Sequence, residues 1–327
     1  MSVLMLPAAP AVLALPAPAP DPVAERARAY AQAAKAPATR RAYRADWADF
    51  SAWCAGRGVA ALPATPKTVG LYLAARAGSH RPATLARRLS AIAKAHQAQG
   101  LRSPASLEHP QVGETLKGIR RVHGTAQRQK RALRTADLLQ VLAHLDAGLL
   151  GVRDRALLLV GFAGALRRAE LAALTYEDLA WEPEGVVVTL RYSKTDQEGK
   201  GRKVVLPRGG HAASCPVGAL KVWLTAAGIT TGPLFRAVDR HGRVRPAGLH
   251  RDSVGAILKR ALARAGFTAA EFGGHSLRAG FATQAASNGA TVFDIMRQTG
   301  HTSVESVARY VREAQLFRDA PASKLGL

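Results

Sequence analysis

Residues 273–311 read GGHSLRAGFATQAASNGATVFDIMRQTGHTSVESVARYV. Three helical segments are predicted here, beginning at His275, Val292 and Ser303. His275 precedes Arg278 by three residues, so the two side chains can converge on one helix face. Gly273-Gly274 ahead of them lets that helix's N-terminus come close to a phosphate. In the last segment Thr302 and Glu305 have capping-box spacing, and Val304, Val307 and Val311 form a buried stripe. Tyr310 falls on the shoulder of that stripe, nine residues after His301. A phenol so placed is held rigidly with its oxygen exposed. The plain alternative is a tyrosine at the edge of a core.

Working upstream, GALRRAEL at 164–171 places Arg167 three residues before Glu170 on a helix, the spacing of an ordinary surface pair. The β-branched run VVVTL at 186–190 and RKVVLP at 202–207 read as two strands. The polar YSKTDQEGKG between them is a hairpin loop carrying Lys194, with Lys200 and Lys203 as neighbouring lysines. Helices are predicted in ADLLQVLAHL with Thr135 as its N-cap, in RDRALLLVGFAGAL, in PVGALKVWLTAAG and in RDSVGAILKRALARAG. Residues 135–313 therefore read as one domain, mostly helical with a small antiparallel β-sheet, followed by a tail at 314–327.

The first half reads as all-helical. Tyr43, Trp47, Phe50 and Trp53 recur at helical spacing, with Arg40, Arg41 and Arg44 at other angles of the same helix. Val69, Tyr72 and Leu73 mark a second helix. Leu85, Leu89 and Ile92 mark a third, with Thr84 at its start and Arg87, Arg88 and Lys94 off the apolar face. Val112, Leu116 and Ile119 mark a fourth. Residues 23–122 are thus a helical bundle with basic outer faces. Each such face is otherwise a solvated surface, and the aromatic stripe is core. Residues 123–134 (HGTAQRQKRALR) read as a basic interdomain linker able to wrap a duplex. Residues 1–22 hold six of the 18 prolines, have no basic n-region, and read as a disordered leader.

A chain of 327 residues with 48 % hydrophobic residues suits about two folded domains. The net charge of +23 points to a polyanion, nucleic acid before an anionic membrane. Up to Arg134 there are 21 basic and 6 acidic residues, so the smaller half is the more basic. Two cysteines, Cys54 and Cys215, make neither a disulfide framework nor a zinc spacing. No two of the ten histidines lie within five residues of each other, and no GxxxxGK[ST] or GxSxG motif occurs. The expectation is chemistry on nucleic acid with no metal and no cofactor. No apolar run of membrane-spanning length follows the N-terminus.

Taken in order, Arg167, Lys194, His275 with Arg278, and His301 with Tyr310 resemble the pattern of the tyrosine recombinase (phage integrase) family. Any one box is weak; all of them in order within one basic chain are specific. The resemblance covers about residues 24–327. It implies a SAM-like core-binding bundle ahead of a mixed α/β catalytic domain. It also implies a site-specific recombinase in which Tyr310 attacks a phosphodiester of double-stranded DNA. The chemistry of these residues agrees. Two guanidiniums, Arg167 and Arg278, suit the charge that develops on non-bridging oxygens. A phenol nucleophile needs a cationic site and removal of its proton. Lys194 is the candidate general acid for the leaving 5′-oxygen, and His275 and His301 are candidate phosphate donors. The family also implies a homotetramer on two duplexes, from a monomer or dimer on one, and a cytoplasmic, nucleoid-associated setting. Candidate DNA contacts are Arg40, Arg41, Arg44, Thr84, Arg87, Arg88, Lys94, Arg131 and Arg251. Two alternatives are a catalytically silent DNA-binding protein and a type IB topoisomerase-like relaxer.

Overall fold

The computed structural model describes residues 21–126, 129–191, 201–315 and 325. The leader to residue 20, the hairpin tip with Lys194 and Lys200, and the tail from 316 (Leu325 excepted) lie outside them. The chain divides into two compact units, Met1–Gln127 and Arg128–Leu327.

The first unit has five helices: α1 (Pro22–Ala33), α2 (Pro37–Ala55), α3 (Pro66–Arg76), α4 (Pro82–Gln97) and α5 (Pro110–His123). Every one opens on proline, whose fixed φ suits the first helical position and whose missing N–H would have no partner there. α1 was not anticipated; the other four match the four apolar stripes. Phe50, Tyr72, Leu73, Leu85, Ile92, Val112 and Leu116 pack as one core, flanked by the half-buried Trp47 and Trp53.

Arg88 is not on the outer face. It is 7 % exposed, and its Nη1 donates to Asp49 Oδ1 at 2.6 Å while Nη2 lies 3.0 Å from His80 Nε2. Asp49 Oδ1 also accepts from the Tyr72 hydroxyl at 2.8 Å and Arg76 Nε at 3.0 Å. Asp46, buried beside them, takes Arg87 Nη2 at 3.1 Å. The reason is tertiary: two carboxylates on α2 draw the guanidinium inward, because a buried carboxylate needs a partner. Burial, then the hydrogen bond to Asp49, pushes the Tyr72 pKa up to about 12.

The second unit begins with α6 (Thr135–Ala143), α7 (Leu149–Ala163) and the short α8 (Arg168–Ala173). Thr135 is the first helical residue of α6 and Arg134 is its N-cap, one position earlier than expected. Next come β1 (Leu179–Glu182), β2 (Gly185–Leu190) and β3 (Arg202–Pro207), an antiparallel sheet in that order. Leu190 pairs with Arg202 and Val188 with Val204, so the expected hairpin is in register. α9 (Pro216–Ala227) follows. The hairpin β4 (Arg236–Val238) and β5 (Val244–Gly248), which was not anticipated, comes after it. α10 (Arg251–Arg264), α11 (Ser276–Ser287), α12 (Val292–Thr299) and α13 (Val304–Gln315) complete the fold.

The core of this unit joins α6, α7, α9, α10 and one sheet face through residues such as Leu157, Leu158, Val188, Leu206, Trp223 and Leu258. A smaller cluster of Ala282, Ala286, Ile295, Val307 and Tyr310 binds α11, α12 and α13. The end of the segment expected as linker is packed, not loose. Leu133 is fully buried and its amide donates to Ser276 O at 3.0 Å. A Cβ on Gly280 would lie 1.8 Å from the Leu133 carbonyl oxygen, so only glycine lets α11 lie this close to that segment. Among the described residues no helix is long and apolar enough to cross a membrane.

Candidate active site

Four of the sequence-predicted residues meet where α8, α11 and the α12–α13 turn converge. Arg167 is the N-cap of α8. Its backbone N–H donates to Glu170 Oε2 at 2.8 Å and its Nη1 to Glu170 Oε1 at 2.6 Å. The pair expected of a surface helix is therefore here, but buried: Glu170 is 5 % exposed.

Arg278, in the first turn of α11, is 3 % exposed. Its Nη1 donates to the Ala165 carbonyl at 2.8 Å. Its Nη2 is buried with no hydrogen-bond partner among the described residues. Burial, then the Arg167 guanidinium, pulls its pKa down to about 10, with Glu170 opposing. A buried cation with an unspent donor is costly alone and is relieved by an anion.

His301 follows Gly300, the left-handed C-cap of α12. Its Nδ1 is 2.8 Å from Thr299 Oγ1, and that hydroxyl donates its one hydrogen to Ile295 O at 2.6 Å. Thr299 must then accept, which assigns the hydrogen to His301 Nδ1 and leaves Nε2 with a free lone pair. Burial, then Arg278 and Arg167, holds the His301 pKa down at about 4, so the ring is neutral near pH 7.

Tyr310 is 8 % exposed and packs against Val307 and Ile295. Its ring centroid is 6.1 Å from that of His301. Arg309 Nη2 donates to its hydroxyl oxygen at 2.9 Å, with the guanidinium 4.8 Å from the ring centroid. Two local expectations need correction. The cap of α13 is Ser303, whose Oγ accepts from Ser306 N at 3.3 Å, not Thr302. Val304 is 49 % exposed, so the buried side is Val307 and Tyr310 itself, with Val311 half-buried beside them.

His275 is the exposed N-cap of α11, not a residue within the helix. Lys194 lies outside the described residues. Sequence reasoning missed Arg202 and Arg309. Arg202 opens β3, where Val204 and Leu206 point inward. The two-residue alternation puts Arg202 on the same face, and a charge on an inward strand position was a readable signal. Arg309 gave no such signal.

Of the candidate DNA contacts, Arg40, Arg41, Arg44, Lys94 and Arg251 are exposed and Thr84 is half-buried. Arg87 is tied to Asp46, and Arg88 is internal. Arg131 pairs with Asp137 at 3.0 Å and stacks 5.2 Å from the Phe272 ring centroid.

Known proteins agree with this architecture. Residues 131–316 match the phage integrase family and residues 29–99 the phage integrase N-terminal SAM-like domain. An integrase/recombinase xerD homolog of Selenomonas ruminantium is 40 % identical over 296 residues, 89 % of this chain and 86 % of the relative. The XerH site-specific recombinase bound to palindromic difH substrate aligns with a TM-score of 0.61 and 19 % identity, covering 80 % of this chain and 72 % of that one. A lambda integrase(75-356) dimer bound to a COC' core site aligns with a TM-score of 0.55 and 16 % identity, covering 88 % and 93 %. The chain belongs to the phage integrase family: it is a tyrosine recombinase, with the family's SAM-like domain ahead of its catalytic domain.

Proposed function

We propose that this enzyme is a site-specific recombinase of double-stranded DNA whose nucleophile is Tyr310. The phenol oxygen attacks a phosphorus, the bond to the 5′-oxygen breaks, and a 3′-phosphotyrosyl enzyme forms beside a free 5′-hydroxyl. A 5′-hydroxyl from a partner duplex then attacks that phosphorus and releases the tyrosine. Bond energy is kept in the covalent intermediate, so no ATP is consumed.

Arg167 and Arg278 bind the non-bridging oxygens, His301 Nε2, an acceptor in the neutral ring, takes the phenol proton, and His275 hydrogen-bonds the phosphate. Lys194 protonates the leaving 5′-oxygen. The observation that carries the reading is Arg278: a buried guanidinium with an unpartnered Nη2 in the cluster that holds Arg167, His301 and Tyr310. Exposed Arg41, Arg44 and Arg251, which make no ion pair among the described residues, are duplex contacts in this reading, together with Arg40 and Lys94. Four protomers on two duplexes, a Holliday junction, docking of the tail on a neighbouring protomer and a cytoplasmic setting complete it. The DNA-bound state of the two solved relatives supports the partner assignment.

The test uses nicked duplexes carrying candidate sites from the chain's own genetic neighbourhood. An SDS-resistant protein–DNA adduct is expected from wild type and not from Tyr310→Phe. Tight binding of a duplex without any adduct would replace this reading with the silent DNA-binding alternative. Supercoil relaxation without recombinant products would favour the topoisomerase-like one.

A further inference from the structure

Besides Arg167, Arg278 and Arg309, a fourth guanidinium lies in the site. Arg202 is the first residue of β3, and its side chain is only 19 % exposed. Its Nη1 donates to the Gln298 carbonyl at 2.8 Å, in the last turn of α12 and three residues before His301. Its Nη2 is 3.5 Å from Glu170 Oε2, the carboxylate that Arg167 also uses. Gly300 covers its other side: a Cβ there would stand 2.7 Å from Arg202 Nε. Gln298 is tied down a second time, its Nε2 donating to Val205 O and Ala163 O at 2.9 Å each.

Among the described residues, Arg202 Nε and Nη2 are buried and make no close hydrogen bond, Nη2 having only the 3.5 Å ion pair with Glu170. Its hold on two elements at once, the Gln298 carbonyl and Glu170, separates Arg202 from Arg278 and decides the kind of role it has. A lone structural cation is not usually placed beside two others over a single carboxylate, since like charges repel. What Arg202 has that no apolar residue offers is a rigid fork spanning two elements.

We propose that Arg202 is a positioning residue for strand cleavage: it links the Arg167–Glu170 pair to the turn that carries His301 and leads into the helix of Tyr310. This rests on the strand-cleavage reading above and adds a residue to it. One prong fixes the end of α12, and the other shares Glu170, so the phosphate-binding arginine and the His301 turn keep one spacing. The groups facing His301 are Arg278 from α11, Arg167 ahead of α8, Arg309 and Tyr310 from α13, Thr299 from α12 and Arg202 from β3.

The experiment measures single-turnover adduct formation on a nicked duplex at saturating DNA, across pH, with melting temperature and duplex affinity in parallel. Wild type, Tyr310→Phe, Arg202→Met and Arg202→Lys are compared. Arg202→Met is expected to bind the duplex within about threefold of wild type and to form adduct at least about tenfold more slowly. Its acid limb is expected to move to higher pH, because a cation facing His301 is gone. Arg202→Lys keeps the charge but not the fork: its acid limb stays with wild type while its rate remains reduced. Should Arg202→Met fail to fold, the folded Arg202→Lys carries the test through its rate. Wild-type rates in the folded variants would overturn the proposal and leave the Tyr310 reading intact. A slowed Arg202→Met with a moved acid limb and full rescue of rate and profile by lysine would also overturn it, leaving charge alone. Absence of a wild-type adduct on a tightly bound duplex would overturn both readings together.

Discussion

Arg278 donates from Nη1 to the carbonyl oxygen of Ala165, and Ala165 is the one non-glycine residue among those described with a positive φ, 50°. The left-handed backbone at Ala165 turns its carbonyl toward α11 and starts the turn that delivers Arg167 two residues later. Such a conformation costs a non-glycine residue roughly 1–2 kcal/mol. Ala165→Gly is expected to keep activity and to change stability by less than about 1 kcal/mol, since relieved strain offsets the looser unfolded chain. Ala165→Val adds a branched side chain at a fully buried site and is expected to cost about 2–4 kcal/mol. Urea unfolding of both variants checks the pair.

Arg278→Lys tests the phosphate clamp. A lysine ammonium cannot donate to Ala165 O and also present a second planar N–H to a phosphate. Adduct formation is expected to fall on the order of 10²–10³-fold, the usual effect of losing one transition-state donor. Duplex affinity should change far less. Equal losses in both would mean that Arg278 holds ground-state DNA only.

The His301 pKa of about 4 lies below the roughly 6.5 of an unfolded histidine. Between those values the unfolded chain binds more protons than the folded one, so stability rises with pH. The neutral-ring contribution is complete above about pH 6.5 and is lost as pH falls through about 4. His301→Gln, which cannot titrate, should show a shallower loss over that window in DNA-free unfolding. Parallel curves for the two proteins would remove His301 from the effect.

Arg88→Ala is expected to destabilise the first unit by about 3–5 kcal/mol, because it leaves the buried Asp46 and the half-buried Asp49 short of a cation. Site preference in any fraction that still folds should be unchanged. Arg44→Ala, at an exposed position, should do the opposite: little effect on unfolding and weaker duplex binding with a smaller salt slope. A gel shift over a salt series, with a melt alongside, separates the two kinds of arginine.

What the sequence made legible is what depends on neighbours in the chain. The β2–β3 hairpin follows from two branched runs around a polar loop, and its register agrees. Arg167 with Glu170, His275 with Arg278 and His301 with Tyr310 are each local spacings. The misses come from distant partners in one case and from weak local signals in others. Arg88 looked solvent-facing because nothing within its own helix says that Asp46 and Asp49, about 40 residues earlier, would sit opposite it. Ser303 replaced Thr302 as a cap because the last helix starts at Val304, one residue late for the capping box. The β4–β5 pair escaped notice because its strands are three and five residues long and include arginine, proline and glycine in place of an alternating apolar run. Arg202 was legible by alternation alone, yet its meaning appears only with Gln298 beside it.

The proline that opens each helix of the first unit has a consequence for how this unit can diverge. A proline at the first position marks a start that continuation from the preceding turn cannot shift backward. The frame is then punctuated by residues whose part is conformational, while the outward side chains between the marks are free to be rewritten. A bundle built so can exchange the surface it presents, one side chain at a time, with its helices beginning where they began before.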